Sequence, residues 1–189
     1  MPLRVISGVA KGRKLKSVPG DTTRPITDRV KESLFNILGA DVVDSHWWDM
    51  FGGTGAVGIE ALSRGAAFVR FTDLNRVPVD TIKANLAATG LASHADTRRA
   101  DAFNLLAAPP DKQFHYIYIA PPQYQELWSK ALVALDENPG WLTDDSWVIV
   151  QISPKEYLDW QLKSLEEFDK RKYGTTLLII YRRQSRLLN

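Results

Sequence analysis

Hydrophobic and polar residues alternate one by one in two short stretches near the amino terminus, at 3–7 and 13–18. A turn region bounded by Gly8 and Gly12 separates them, so the pattern predicts a β-hairpin. A lone hairpin buries little apolar surface. We therefore expect it to lie against the main domain or against a partner.

Beyond this hairpin, short apolar runs alternate with stripes of helical period. Helices are predicted from Thr27, a suitable N-cap, to Gly39, and over 56–64, 75–90 and 125–135. Strands are predicted for a run that ends at Asp49 and for 67–72, 95–99, 114–119, 147–152 and 175–181. Residues 162–173 suit a helix or a strand. The alternation predicts a doubly wound α/β fold with a parallel sheet that ends in an antiparallel hairpin.

A glycine-rich turn joins the strand that ends at Asp49 to the next helix. Glycines 52, 53 and 55 permit positive φ angles and let a ligand approach the bare backbone. The helix that starts here points its unpaired N–H groups and positive dipole end at that ligand. Asp73 ends the following strand about 20 residues after Gly53, where an acid suits the two hydroxyls of a ribose.

The spacing Gly53-x-Gly55-x-x-Gly58 also matches the dinucleotide fingerprint, although that match alone is weak. Asp49 favours another ligand, because a carboxylate at the strand end repels a pyrophosphate and attracts a cation. The amino acid end of S-adenosylmethionine carries such a cation. A turn that serves only helix–strand packing is the structural alternative.

Two further segments follow predicted strands. Asp101 comes after the strand at 95–99, where it would meet an adenine amino group, or else serve as a helix N-cap. The strand at 114–119 ends in Ala120-Pro121-Pro122-Gln123-Tyr124. Because ligands of doubly wound sheets bind outside the carboxyl ends of the strands, we expect these segments to share a site with Asp49, the glycines and Asp73.

Composition narrows the possible classes of protein and of functional site. A chain of 189 residues with 44% hydrophobic residues suits one soluble α/β domain with a small appendage. The lack of cysteine excludes disulfides, zinc–thiolate sites and cysteine nucleophiles, and three scattered histidines indicate no metal site. Without a signal peptide or a membrane-length apolar run, we expect a cytoplasmic protein that does not bind a membrane.

Charge is distributed unevenly. Residues 1–31 contain eight basic and two acidic residues, a net charge of +6, whereas the other 16 basic and 20 acidic residues give −4. A basic arm on a mildly acidic body is typical of proteins that hold a polyanion at one end. A solvated charged hairpin is the alternative.

Together these motifs resemble the RsmD-type methyltransferases, which methylate the exocyclic N2 amine of a guanine in small-subunit (16S) ribosomal RNA. The resemblance covers nearly the whole chain, and the stretch from Arg24-Pro25 to Asn36 is its most specific part. The other matching segments are Val5–Gly8, Gly12–Leu15, Asp49–Gly55, Glu60–Gly65 and Arg171–Gly174.

The resemblance implies a Rossmann-like class I methyltransferase with a mostly parallel, seven-stranded sheet and an antiparallel C-terminal strand. Residues 21–189 would form this domain, and residues 1–20 a basic N-terminal β-hairpin arm. The cofactor would be S-adenosyl-L-methionine, and the partner ribosomal RNA or a partly assembled small subunit. The protein would be a monomer without a metal.

Site residues follow from the same resemblance. The cofactor would contact Asp49, Phe51, Gly52, Gly53, Thr54, Gly55, Asp73, Leu74, Asp101 and Ala102. The RNA would contact Arg4, Lys11, Arg13, Lys14, Lys16, Arg24 and Arg29. The catalytic segment would be Ala120, Pro121, Pro122, Gln123 and Tyr124.

The catalytic segment departs from the family pattern of Asp or Asn, two prolines and an aromatic residue. Ala120 replaces the acid, and the aromatic Tyr124 comes one residue late. Three outcomes are open: methylation with Gln123 and backbone carbonyls as acceptors, binding without methylation, or a different target. A nicotinamide-dependent oxidoreductase explains neither the arm nor the two prolines, and a silent RNA-binding module differs from an enzyme only in turnover.

Overall fold

A computed structural model describes residues 3–20 and 26–184. In this part of the chain seven strands form one sheet in the order β3-β2-β1-β4-β5-β7-β6. The strands are β1 (His46–Asp49), β2 (Phe68–Asp73), β3 (Ala95–Arg99), β4 (Phe114–Ile119), β5 (Leu142–Ile152), β6 (Leu165–Tyr173) and β7 (Thr176–Arg183). The α-helices of the same residues are α1 (Asp28–Leu38), α2 (Ala56–Ser63), α3 (Arg76–Thr89), α4 (Ala102–Ala107) and α5 (Leu127–Glu137).

The chain divides into two compact units, Met1–Ala102 and Phe103–Asn189. In the first unit β2 pairs in parallel with both β1 and β3. Helix α2 packs closely on β2, since a Cβ atom on Gly58 would lie 2.3 Å from Cε1 of Phe71. Gly58 is therefore required by helix–strand packing, whereas Gly53 and Gly55 have positive φ angles and shape the turn.

The first helix begins where its sequence predicts. The side chain of Thr27 accepts a hydrogen bond from the backbone N–H of Val30 and so caps α1. Leu34, Phe35 and Leu38 are buried on one face, and Phe35 stacks on Trp47 of β1 at 5.6 Å between ring centroids. The amphipathic period of α1 thus fixes which side faces the core.

The amino-terminal segment pairs in antiparallel fashion, as predicted, with a bridge between Arg4 and Lys14. The backbone N–H of Val5 donates to the carbonyl of Arg13, and that of Leu15 donates to the carbonyl of Leu3. The apolar residues Leu3, Val5 and Leu15 are buried. The expectation that this hairpin lies against the main domain is thereby confirmed, and its status as a separate domain of residues 1–20 stays a prediction.

In the second unit β4 and β5 are parallel, whereas β7 runs antiparallel to both β5 and β6. The fold class predicted from the sequence is confirmed. The segment 162–173, left open between helix and strand, contains strand β6. Helix α4 was not predicted, β5 begins earlier than expected, and α5 starts at Leu127 rather than at residue 125.

Candidate functional site

Two backbone hydrogen bonds hold the glycine turn after β1, one to β2 and one within the turn. Gly52 N donates to the carbonyl of Thr72 at 2.7 Å, and Gly55 N donates to Gly52 O at 2.7 Å. A Cβ atom on Gly52 would lie 2.6 Å from Cδ1 of Ile82. Gly53 and Gly55 adopt φ angles of 54° and 76°, which favour glycine. A larger side chain would clash at position 52 and would strain the backbone at positions 53 and 55, so glycine at these three positions allows the turn to form.

Asp49 ends β1 directly before this turn and is 2% exposed. Its Oδ2 accepts a hydrogen bond from the backbone N–H of Gly58 at 3.3 Å. The pKa of Asp49 is raised from 3.8 to about 8. Burial is the main cause and the charge of Asp73 adds to it, whereas the hydrogen bond from Gly58 acts in the opposite direction. A cation bound beside Asp49 would favour its ionised form.

Asp73 ends β2 and is tied to the glycine turn. Its Oδ2 accepts from Gly53 N at 3.1 Å, and its Oδ1 accepts from Asn75 N at 2.9 Å. The backbone carbonyl of Asp73 accepts from Ala100 N at 3.0 Å. A carboxylate oxygen can accept two hydrogen bonds, so the carboxylate of Asp73 has the chemistry to meet the two hydroxyls of a ribose.

The remaining predicted cofactor residues surround these contacts. Phe51, Thr54 and Asp101 are half-buried, Ala102 is the buried first residue of α4, and Leu74 is 63% exposed. Asp101 directly precedes α4, so the N-cap alternative for it stays open. The first unit therefore brings together Asp49, the glycine turn, Asp73 and the segment that leads to Ala102.

The predicted catalytic segment follows β4 in the second unit. Ala120 and Pro121 are half-buried, whereas Pro122 and Gln123 are exposed and Tyr124 is 65% exposed. Tyr124 adopts a φ of 61°, a left-handed conformation that is unfavourable for a non-glycine residue. Such conformations persist only where the surroundings hold them, and they occur often at functional sites.

Glu156 holds this segment in place. Its Oε1 accepts from Tyr124 N at 2.7 Å, and its Oε2 accepts from Ser153 N at 3.1 Å. Ser153 and Glu156 also form a capping box at the short helical turn after β5. The exposed ring of Tyr124 is thus presented on a backbone that is fixed from outside the segment.

The basic residues of the arm are exposed at its surface. Lys11, Arg13, Lys14 and Lys16 are all exposed. Arg4 is exposed and forms an ion pair with Asp28 at 2.9 Å, and Arg29 is exposed on α1. Arg24, also predicted to contact RNA, lies outside the described residues.

The arm is anchored on α2 by a buried ionic cluster. Ile6 N and Ser7 N donate to the two carboxylate oxygens of Glu60 at 2.8 and 3.0 Å. Glu60 also pairs with Lys31 at 3.3 Å, and both side chains are 0% exposed. Burial lowers the pKa of Lys31, although the charge of Glu60 raises it in part.

Sequence reasoning missed three residues that organise these sites: Glu60, Asn85 and Glu156. Two of them carried a visible signal, because Glu60 lies in a run of small and apolar residues and Asn85 lies on the apolar face of α3 between Ile82 and Leu86. A polar residue at a core position requires a buried partner. Glu156 carries no comparable signal.

The part of the chain that the structure describes contains neither a metal-binding group of side chains nor a membrane-spanning helix. Across residues 3–20 and 26–184 there is no group of three or more His, Cys, Asp or Glu side chains that could hold a metal ion. Within the same ranges no helix is long and apolar enough to cross a membrane.

Residues 3–182 match the profile of the family described as Conserved hypothetical protein 95. The chain belongs to this family. Its membership of the RsmD-type group, predicted from its motifs, is confirmed. The fold and motifs described above are therefore those of a family of methyltransferases.

Two curated relatives show how far the similarity extends. A protein of Bacillus subtilis (strain 168), named "Putative rRNA methyltransferase YlbH", is 39% identical over 96% of this chain and 100% of its own length. The Ribosomal RNA small subunit methyltransferase D of Escherichia coli (strain K12) is 36% identical over 79% of this chain and 74% of its own.

Solved structures agree with the fold. The Escherichia coli protein named "Putative methyltransferase yhhF" has a TM-score of 0.86 at 32% identity, over 97% of this chain and 99% of that one. An RNA methyltransferase of Salinibacter ruber, solved in complex with S-adenosyl-L-homocysteine, has a TM-score of 0.66 at 14% identity over 87% and 96% of the two chains. The second likeness concerns the fold alone.

Proposed function

We propose that this protein is an S-adenosylmethionine-dependent methyltransferase of the exocyclic N2 amine of a guanine in small-subunit (16S) ribosomal RNA. The observation that carries the proposal is the buried carboxylate of Asp49 at the glycine turn. The substrate class follows the names of the relatives, which concern ribosomal RNA in the Bacillus subtilis protein and ribosomal RNA of the small subunit in the Escherichia coli protein. The arm with its exposed bases supplies the cationic surface that RNA requires.

The first unit fits this cofactor chemically. Asp49 would hold the ammonium group of its amino acid end, because a buried acid with a raised pKa regains its charge when a cation is bound. Gly52, Gly53 and Gly55 leave the backbone open to the same end of the ligand. Asp73 would accept hydrogen bonds from the ribose hydroxyls, and Asp101 would meet the adenine.

A nicotinamide dinucleotide fits less well. Its pyrophosphate carries negative charge where Asp49 ends β1, and Asp73 lies close enough to raise the pKa of Asp49 further. An anionic group at the turn would oppose the ionisation of Asp49 still further and would give its carboxyl group no positive partner. A cationic ligand favours the ionised form of Asp49 instead, which favours S-adenosylmethionine.

Catalysis would depend on the segment after β4. S-adenosylmethionine, when bound, supplies an electrophilic methyl group. The exocyclic amine of guanine is a weak nucleophile because its lone pair is delocalised into the ring. Acceptors on its N–H groups draw it towards a tetrahedral form and stabilise the positive charge that grows on nitrogen. The transfer would leave S-adenosylhomocysteine, and one proton would pass from the nitrogen to water. The Ala120 and Pro121 carbonyls and the Gln123 side-chain oxygen are the acceptors that we propose.

Two features of the segment support this assignment. Pro121 and Pro122 restrict the backbone and so hold the adjacent carbonyls in place. The exposed ring of Tyr124, fixed through Glu156, offers a face on which a flipped base can stack. Removal of one oxyanion-hole donor lowers enzyme rates by about 10²- to 10³-fold, so by analogy the loss of a charged acceptor, with Ala120 in place of an acid, implies a slow enzyme.

Ala120 also favours a second candidate, a protein that binds cofactor and RNA without methylating. Methyl transfer from labelled S-adenosylmethionine to small ribosomal subunits that lack their own guanine-N2 methylation separates the two. The native protein and Ala120→Asp are assayed in parallel. Label recovered as N2-methylguanine with the native protein supports the enzyme.

The other outcomes contradict the proposal in different ways. Label from Ala120→Asp alone would indicate a binding protein that lacks its acceptor. Label on another nucleotide would indicate a different target. No label from either protein would remove small-subunit guanine as the substrate.

A further inference from the structure

The buried side chain of Asn85 joins the arm to the glycine turn. Asn85 lies on α3 and is 1% exposed. Its Nδ2 donates to the carbonyl of Lys16 at 3.0 Å and to the carbonyl of Thr54 at 2.9 Å. Its Oδ1 accepts from Lys16 N at 2.7 Å. The side-chain amide of Asn85 therefore holds the backbone of an arm residue and the backbone of the glycine turn together.

These bonds use both donors and the acceptor of the amide. All three reach backbone groups outside α3, so they do not serve the helix that carries Asn85. The N–H and the carbonyl of Lys16 are both engaged, as they would be by a neighbouring strand, while its side chain stays exposed. Asn85 thus fixes the backbone of Lys16 and leaves its charge available.

A second anchor, on α2, holds the arm on the other side of its exposed basic residues. Residues 6–10 of the arm are held on α2, because Ile6 and Ser7 donate to Glu60 and Ala10 N donates to Oγ of Ser63. The exposed bases from Lys11 to Lys16 lie between the α2 anchor and Asn85. Their placement relative to the glycine turn therefore depends on the Asn85 contact at one end.

We propose that Asn85 is a positioning residue through which cofactor binding at the glycine turn and RNA binding on the arm strengthen each other. This inference rests on the proposed function, because it requires both ligands. A ligand that orders the turn around Thr54 also orders Lys16 through Asn85. The second ligand then meets an arm that has already lost part of its conformational freedom, so its binding is tighter. The effect is reciprocal by thermodynamic linkage.

The test is the dissociation constant of S-adenosylhomocysteine, measured by calorimetry with and without a saturating 16S RNA fragment. For the native protein we expect RNA to tighten this binding by about 5-fold or more, the lower end of typical couplings. Asn85→Asp keeps the size and the acceptor oxygen but lacks both donors. In this variant we expect the ratio of the two constants to fall to within about twofold of one.

Asn138→Asp is the matched control. Asn138 Nδ2 donates to the backbone carbonyl of Leu106 at 3.1 Å in the second unit, so its replacement removes a bond of the same kind. We expect this variant to lose stability and to keep the native coupling. Equal coupling in both variants would overturn the proposal, since Asn85 would then be merely structural.

A measurement on the native protein does not depend on whether Asn85→Asp folds. Hydrogen exchange of the Lys16 amide, which donates to Asn85, should slow when S-adenosylhomocysteine is added. An unchanged exchange rate would contradict the inference. If the native protein binds S-adenosylhomocysteine and RNA independently, the inference fails and the proposed function stands, whereas no binding of S-adenosylhomocysteine contradicts both.

Discussion

Among single residues, Asp49 has the largest consequence for pH dependence. Its folded pKa of about 8 lies above the ordinary 3.8, mainly because burial disfavours the charged form. Between these values the folded state keeps a proton that the unfolded state releases. The ligand-free protein is therefore expected to lose stability as pH rises from about 4 to about 8. A cationic ligand reverses the preference and binds with release of that proton.

Asp49→Asn tests this behaviour. The ligand-free variant should melt at a higher temperature than the native protein at about pH 8, with a smaller difference near pH 4, because it buries no ionisable group. Its affinity for S-adenosylhomocysteine should fall by about 10- to 100-fold, since a charge-assisted hydrogen bond is lost. Melting curves and calorimetry across this pH range provide the measurement.

The exposed Asp80→Asn serves as the control, because it removes a carboxylate without altering burial. Native affinity for S-adenosylhomocysteine should rise with pH up to about 8 and level off there. An affinity independent of pH, in both the native protein and Asp49→Asn, would contradict the assigned role.

Among the contacts between elements, the one between the arm and α2 can be disrupted by a single substitution. Glu60 accepts from two arm amides, pairs with Lys31, and pairs with Arg64 at 2.8 Å. A buried ion pair contributes little net stability compared with an apolar pair. Removing one partner, however, leaves an uncompensated buried charge, here that of Lys31.

We predict that Glu60→Gln lowers the free energy of unfolding by about 3–5 kcal/mol. The arm should also detach more readily, so trypsin should cleave after Lys11, Arg13 or Lys14 faster than in the native protein. Urea unfolding and mass spectrometry of brief digests measure the two effects.

Asp80→Asn is again the appropriate control, because Asp80 also forms an (i, i+4) pair with an arginine but is exposed. Its effect on stability should stay within about 0.5 kcal/mol. Equal stability and equal digestion of Glu60→Gln and Asp80→Asn would show that the cluster does not hold the arm.

At the scale of the whole molecule, the uneven distribution of charge along the chain is the property that bears on RNA binding. The net charge of +2 combines +6 in residues 1–31 with −4 in the remainder. Lys11, Arg13, Lys14 and Lys16 are exposed, and this clustering rather than the small net charge is expected to attract RNA. Binding should therefore weaken steeply as salt concentration rises.

Reversing two charges on the arm, in Lys14→Glu with Lys16→Glu, should weaken binding of a 16S RNA fragment and lower the log–log salt slope by about 1.4 or more. The matched control is Lys130→Glu with Lys163→Glu, which changes net charge equally on exposed residues of the second unit. Filter binding over a range of salt concentrations gives both quantities. Equal effects of the two pairs would mean that the arm has no special role.

Much of the fold and part of the site were predictable from the sequence. The period of apolar residues predicted the alternation of strands and helices, and Thr27 and Gly39 predicted the ends of α1. The glycine turn and the acids Asp49 and Asp73 were recognisable because they depend on local geometry at the ends of strands. The choice of strand for residues 165–173 was not predictable, since its pairing with β7 decided it.

The tertiary structure alone decided which distant groups meet. Glu60 lies 54 residues from Ile6, Asn85 lies 69 from Lys16, and Glu156 lies 32 from Tyr124. Patterns of period two or 3.6 describe a residue's neighbours along an element and carry no information about such pairs. The pKa of Asp49 likewise depends on its burial, which the packing of the folded chain produces. Local sequence thus determined the elements and the turn, whereas packing determined how the arm is attached and at which pH Asp49 ionises.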